Sequence, residues 1–155
     1  MTQATAWSIR PAGAADVPRL RDWALAMALE TEHKRLDPDT VEAGIRAVLD
    51  EPRRGAYFIA ERDGAPGGTL MLTYEWSDWR NGDWWWIQSV YVDPACRRQG
   101  CYAALYRHVF EAAKATPRVC GLRLYVEHNN AGAQRTYESL GMVDAGYRMY
   151  EAATR

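Results

Sequence analysis

A strand-like run ending at Asp93-Pro94 leads into Cys96-Arg97-Arg98-Gln99-Gly100, and an apolar-striped helical segment begins at once. Two arginines and a glutamine beside a glycine, placed where a strand gives way to a helix, are suited to holding an anion. The first N–H groups of a helix have no partner within it, the helix dipole is positive at that end, and glycine admits a ligand close to the main chain. A pyrophosphate suits such a turn. Neither GxxxxGK[ST] nor GxGxxG occurs, so the turn is not a nucleotide P-loop or a dinucleotide fingerprint.

The elements around the turn follow from periodicity and punctuation. Trp7 to Arg10 reads as a short strand broken by Pro11 to Gly13, and Ala14 to Leu29 as a helix with Val17, Leu20, Ala24, Met27 and Ala28 at helical spacing. A second helix opens at Asp37-Pro38, with Asp37 as cap, Pro38 at the first helical position, and Val41, Ile45, Val48 and Leu49 as its buried stripe. Tyr57 to Glu61, Gly68 to Trp76 and Trp84 to Val92 read as strands, reversed at Arg62-Asp63-Gly64 and again at Asn81-Gly82. After the turn, Tyr102, Leu105, Tyr106, Val109, Phe110 and Ala113 mark a helix. Gly121 to Val126 alternates as a strand, Asn129 or Asn130 caps a last helix ended by Gly141, and Met142 to Tyr150 reads as a closing strand. The order βαα-βββ-α-β-α-β predicts an α/β (α+β) fold, a mixed sheet with helices on both faces.

At 155 residues the chain has the size of one domain. Its net charge of −1 gives no support to a broad nucleic-acid surface. The charge is unevenly spread: between Ala95 and Cys120, five basic residues face one acid, a local +4 that leaves −5 for the remainder. A small polyanion suits the basic segment, and a cationic second ligand suits the rest. Seven Trp and nine Tyr against two Phe favour pockets and half-exposed surfaces as well as core. The three cysteines carry no paired spacing, which agrees with a reducing compartment, and Cys96, Cys101, His108 and Cys120 do not match zinc-ligand spacing; no metal is expected. No apolar run approaches the ~20 residues of a membrane span, and the start lacks a basic and apolar leader, so the cytoplasm is the expected location.

SVYVDPACRRQGCYAALYRHV and the later GLRLYVEHNNAGAQRTYESLGM together resemble the GNAT superfamily of acetyl-CoA-dependent N-acetyltransferases. The first looks like that family's [RQ]xxGx[GA] pyrophosphate motif. The second resembles its NxxAxxxYxxxGF segment, through Asn130, Ala133, Tyr137, Gly141 and Met142, and SIRPAGAADVPRL resembles the usual first strand and helix. The resemblance covers nearly the whole chain and implies a single GNAT-like domain over 1–155, with a mostly antiparallel sheet of six to seven strands flanked by about four helices. It implies acetyl-CoA as co-substrate, with the main chain of Val90, Tyr91 and Val92 on the pantetheine arm. The turn residues Arg97, Arg98, Gln99, Gly100, Cys101, Tyr102 and Ala103 would hold the pyrophosphate, and Asn130 would touch the arm. Tyr137 would stand near the sulfur as general acid, a role a phenol that is protonated at neutral pH can fill. Homodimers are common in this family, so a homodimer is expected.

Two positions depart from the family pattern. Tyr102 stands where Gly or Ala is usual, so its ring must either point away from the phosphates or help cover the cofactor. Trp86 stands where many members carry a catalytic Glu. Direct attack needs a neutral amine, which leaves Glu75, Glu127 and His33 as candidate bases. Trp84 and Trp86 face one way on their strand and Trp85 the other. They read as core packing or a dimer contact, or else as an aromatic wall that, with Glu75, holds a cationic amine. The expected activity is N-acetylation of a small or amino-acid-like primary amine, with Trp86, Glu75 and His33 on the acceptor side. The alternatives are a non-catalytic acyl-CoA sensor and an aromatic sheet that stacks single-stranded nucleic acid, which the near-neutral charge disfavours.

Overall fold

Three runs rich in apolar and aromatic residues between Ala56 and Val92 form three consecutive antiparallel strands, and these carry the architecture. In the computed structural model, which describes residues 6–155, β1 (Ser8–Pro11), β2 (Ala56–Arg62), β3 (Ala65–Ser77), β4 (Gly82–Val92) and β5 (Val119–Arg123) form one sheet in the order β1-β2-β3-β4-β5. The first three pairings are antiparallel and β4 with β5 is parallel. The chain divides into two compact units, Met1–Leu124 and Tyr125–Arg155.

In the first unit, α1 (Val17–Glu32) and α2 (Pro38–Asp50) cover one sheet face. Val17, Leu20, Trp23 and Ile45 pack there on Ile59 and Tyr91. Asp37 caps α2 as its sequence predicts, accepting the Thr40 N–H at 2.9 Å. The opposite face is covered by α3 (Cys101–Ala115), where His108 meets Phe58 edge to face at 5.3 Å. Ile59, Leu70, Leu72 and Leu105 are at most 1% exposed. Each contributes roughly 1.5–3 kcal/mol by leaving water, and together they fix the two helix layers on the sheet. The second unit holds α4 (Ala131–Ser139), capped by the Asn130 side chain on the Ala133 N–H at 3.1 Å.

Two strand expectations are corrected. The sheet has five strands among the described residues, not six or seven, because Met142 to Tyr150 forms no ladder. The Gly146 N–H goes to the Asp144 carboxylate at 2.8 Å and Gly146 takes φ +77°, a local turn that competes with an extended run. The fifth strand is Val119–Arg123 and not Gly121–Val126, which puts Glu127 in the turn before α4 and not at a strand end.

Candidate active site

β4 has two unlike halves. Its first half, Asp83 to Trp86, is zipped to β5, and that ladder ends where Trp86 meets Arg123. On the β3 side the register slips: Thr69 faces Tyr91 while Met71 faces Gln88, so Ser89 and Val90 together oppose Leu70, and Ser89 sits at φ +49°. This bulge bends the strand just where its other side has lost its β5 partner. Among the described residues, the main chain from Ile87 to Val92 therefore has no ladder on its β5 side, the side on which a ligand would pair with backbone.

Tyr91 turns from this edge into the core under α1, with its ring 6.1 Å from Trp23. Its phenol donates to Glu30 Oε1 at 3.0 Å, and burial followed by that hydrogen bond raises its pKa. Leu20, Trp23, Met27, Tyr57, Ser89 and Tyr91 help line a cavity of about 20 Å³ at this point, room for one water.

The turn that follows is held from both sides. The Asp93 carboxylate accepts the Ala95 N–H at 3.0 Å and starts a short 3-10 segment, Pro94–Cys96. Arg97 donates Nε to the Val92 carbonyl at 2.9 Å and a terminal nitrogen to Glu30 at 2.9 Å. The Gln99 side-chain oxygen accepts from Arg62 at 2.7 Å and its carbonyl from the Trp7 indole at 2.9 Å, while Arg62 lies 4.0 Å over the Trp7 ring. Gly100 caps α3 at φ +78°, where a Cβ would meet nothing within 4 Å. The first helical bond runs from Ala104 to Gly100, and Gly100 brings no side-chain cap to the start of α3. A helix start with no side-chain cap, an open approach over Gly100 and the nearby Arg98 fit a pyrophosphate. The Tyr102 ring lies 6.4 Å from that of Tyr106, one turn farther along α3. Cys101 is buried beneath the turn, and burial pushes its thiol up to about 11. A thiol so protonated is a poor nucleophile.

On the α1 face of the sheet, Trp84, Trp86 and Glu75 come together as the alternation predicts. The Trp86 indole donates to Glu75 Oε1 at 2.8 Å, and Trp85 turns to the other face against Tyr74. The sequence reading missed the fourth member, Arg123, which donates to both Glu75 oxygens at 3.1 and 3.2 Å and lies 4.0 Å over the Trp84 ring. The aromatic wall thus already carries a cation of the chain's own. Parity on β5 could have placed Arg123 on a definite face, but only the parallel register with β4 brings it opposite Trp86. His33 is exposed, ends α1 at φ +53°, and makes no hydrogen bond to Glu75 or Trp86.

In the second unit, Glu127 and His128 offer their carbonyls to the Gln134 side chain at 3.2 and 3.0 Å, fixing the turn that presents Asn130. The Glu127 carboxylate is exposed and accepts weakly from Asn129 at 3.4 Å. Tyr137 is half-buried, and burial raises its pKa, so it holds its proton at neutral pH. Among the described residues no group of three His, Cys, Asp or Glu could hold a metal ion, and no helix is long and apolar enough to cross a membrane.

The chain belongs to the acetyltransferase (GNAT) family, whose family model matches residues 17–142. It is similar, at 40% identity and a TM-score of 0.90, to the crystal structure of a possible acetyltransferase from Clostridium difficile 630, with 96% of this chain and 98% of that one covered. An integron cassette protein from the mobile metagenome of Cole Harbour Salt Marsh shares 21% identity, with a TM-score of 0.82 over 95% and 90% of the two chains. A predicted acetyltransferase from Clostridium acetobutylicum, solved with acetyl-CoA, shares 15% identity, with a TM-score of 0.74 over 95% and 96%. These last two show the fold alone. No curated protein matches the chain.

Proposed function

We propose that residues 1–155 act as one domain that transfers an acetyl group from acetyl-CoA to a primary amine of a small, amino-acid-like acceptor, by direct attack within a ternary complex. The observation that carries this reading is the strand, turn and helix from Ile87 to Ala103: a strand without a ladder on its β5 side, running into a turn and a helix start that has no side-chain cap. Acetyl-CoA, when bound, supplies the activated acetyl thioester. The main chain of Val90 to Val92 would align the pantetheine arm, and the amides from Arg98 to Ala103 the pyrophosphate, with Asn130 touching the arm. The acceptor enters from the α1 side, where Glu75 and Trp86 orient its amine and His33 stands farther out. A base must take the ammonium proton before attack, and Glu127 or Glu75 fills that role, directly or through water. As the nitrogen–carbon bond forms and the carbon–sulfur bond breaks, the Tyr137 hydroxyl donates to the departing sulfur. Its burial keeps that donor protonated.

Tyr137→Phe tests the reading. Turnover is expected to fall about a hundredfold, the usual worth of a positioned acid, while affinity for coenzyme A stays within about twofold. Equal turnover in the two proteins removes Tyr137 from the mechanism. Tight acetyl-CoA binding by the unaltered protein, with no thiol released across a broad panel of amines, would instead favour the sensor. The reading also expects a cytoplasmic homodimer, and sedimentation of the full chain checks the assembly.

A further inference from the structure

Three consecutive side chains of the phosphate turn meet different fates. Arg97 is committed: it binds the Val92 carbonyl and Glu30, and its guanidinium lies 5.3 Å over the Tyr91 ring. Gln99 is committed on the other side, to Arg62, the Trp7 indole and the Ala95 carbonyl. Arg98, between them, is exposed at φ +61° and makes no hydrogen bond or ion pair with another described residue.

Arg97 owes its commitment to one carboxylate. Glu30, near the end of α1, gives Oε1 to the Tyr91 phenol at 3.0 Å and Oε2 to Arg97 at 2.9 Å. It thereby ties the strand before the turn to the turn itself, through partners 61 and 67 residues away in sequence. A bond between charged groups across such a distance in sequence constrains backbone that a ladder holds on the β3 side alone, since β5 ends at Arg123 and leaves this stretch of β4 unpaired on the other. The pair also offsets the Glu30 charge, which would otherwise repel a phosphate at the turn.

We propose that Glu30 is a positioning residue for the coenzyme A phosphates: by binding Tyr91 and Arg97 at once, it lays Arg97 against β4, so that Arg98 is the turn's cation presented to the ligand. The inference rests on the acetyl-CoA reading above. It separates two arginines that look alike in sequence, one a brace and the other a ligand contact.

The test is calorimetric titration of the full chain with coenzyme A, alongside steady-state kinetics, for Glu30→Ala, Glu30→Gln, Arg97→Ala, Arg98→Ala and the double variant Glu30→Ala/Arg97→Ala. Arg98→Ala is expected to weaken coenzyme A about tenfold, as for one charge-assisted bond, and to flatten the salt dependence of binding. Glu30→Ala is expected to raise the dissociation constant and the acetyl-CoA KM about tenfold with kcat within about twofold, and to add nothing once Arg97 is already Ala. Glu30→Gln, which keeps an acceptor for one partner, falls between, and melting temperatures identify any variant that fails to fold. Tighter binding by Glu30→Ala, or equal and additive losses from Glu30→Ala and Arg97→Ala, would overturn the proposal by making Arg97 a ligand contact. Failure of the unaltered protein to bind coenzyme A at all would instead overturn the acetyl-CoA reading.

Discussion

Two carboxylate clusters flank the sheet, and they are built for different ends. At the β1 edge, Asp16 takes both terminal nitrogens of Arg10 at 2.8 Å each and the Gly13 N–H at 2.8 Å, while Arg10 Nε also binds Glu61. The Asp16 side chain is only 11% exposed. At the β4 and β5 end, Glu75 shares a single Arg123 nitrogen between its oxygens, accepts the Trp86 indole, and remains 43% exposed. The first carboxylate has its hydrogen bonds filled and shielded from water, so it can only brace β1 to the start of α1. The second is half-open to solvent beside two indole rings, so it can still meet a ligand. Saturation and exposure, more than the presence of an ion pair, separate a brace from a site.

The largest expected effect breaks the brace. Asp16→Asn removes a charge-assisted pair and should cost about 2 kcal/mol, lowering the melting temperature by roughly 6 °C with kinetic constants unchanged. Hydrogen bonds from Arg10, the chief cause, lower the Asp16 pKa in the fold. Its contribution is therefore complete above the unfolded carboxylate's pKa of about 3.9 and is lost as pH falls through the lower folded value. Acid titration of the melting temperature should be steeper in the unaltered protein than in the variant; coincident curves would detach Asp16 from stability. Glu75→Gln is expected to do the reverse, raising the acceptor KM about tenfold through loss of charge with little change in melting temperature. If Glu75→Gln only destabilised the protein, both clusters would be braces and the contrast would fail. The smallest effect belongs to Trp86→Phe, which keeps a ring and loses the indole donor. An acceptor KM about threefold higher is expected, near the worth of one modest hydrogen bond, and no change at all would remove Trp86 from the acceptor site.

What was legible in the sequence was local. Asp37-Pro38 opens α2, one of Asn129 and Asn130 caps α4, Gly100 opens α3, and the alternation of Trp84, Trp85 and Trp86 assigns them to opposite faces, because caps and side-chain parity depend only on near neighbours. The closing strand failed for a local reason as well: an Asp144 side chain satisfied a backbone N–H that a ladder would have needed. Arg123 and Glu30 were invisible because their partners lie 48 and 67 residues away and their meeting depends on strand register and helix placement.

The sequence by itself determined the order of elements as far as the last helix, the family, and the turn chemistry from Arg97 to Gly100, since motif and periodicity are properties of short stretches. Only the tertiary structure decided which charges are spent. Arg97 is bound by Glu30 while Arg98 is not, and Asp16 is saturated while Glu75 stays open. Whether a charge is spent is a matter of distance and burial, and folding sets those by bringing together residues the chain keeps far apart.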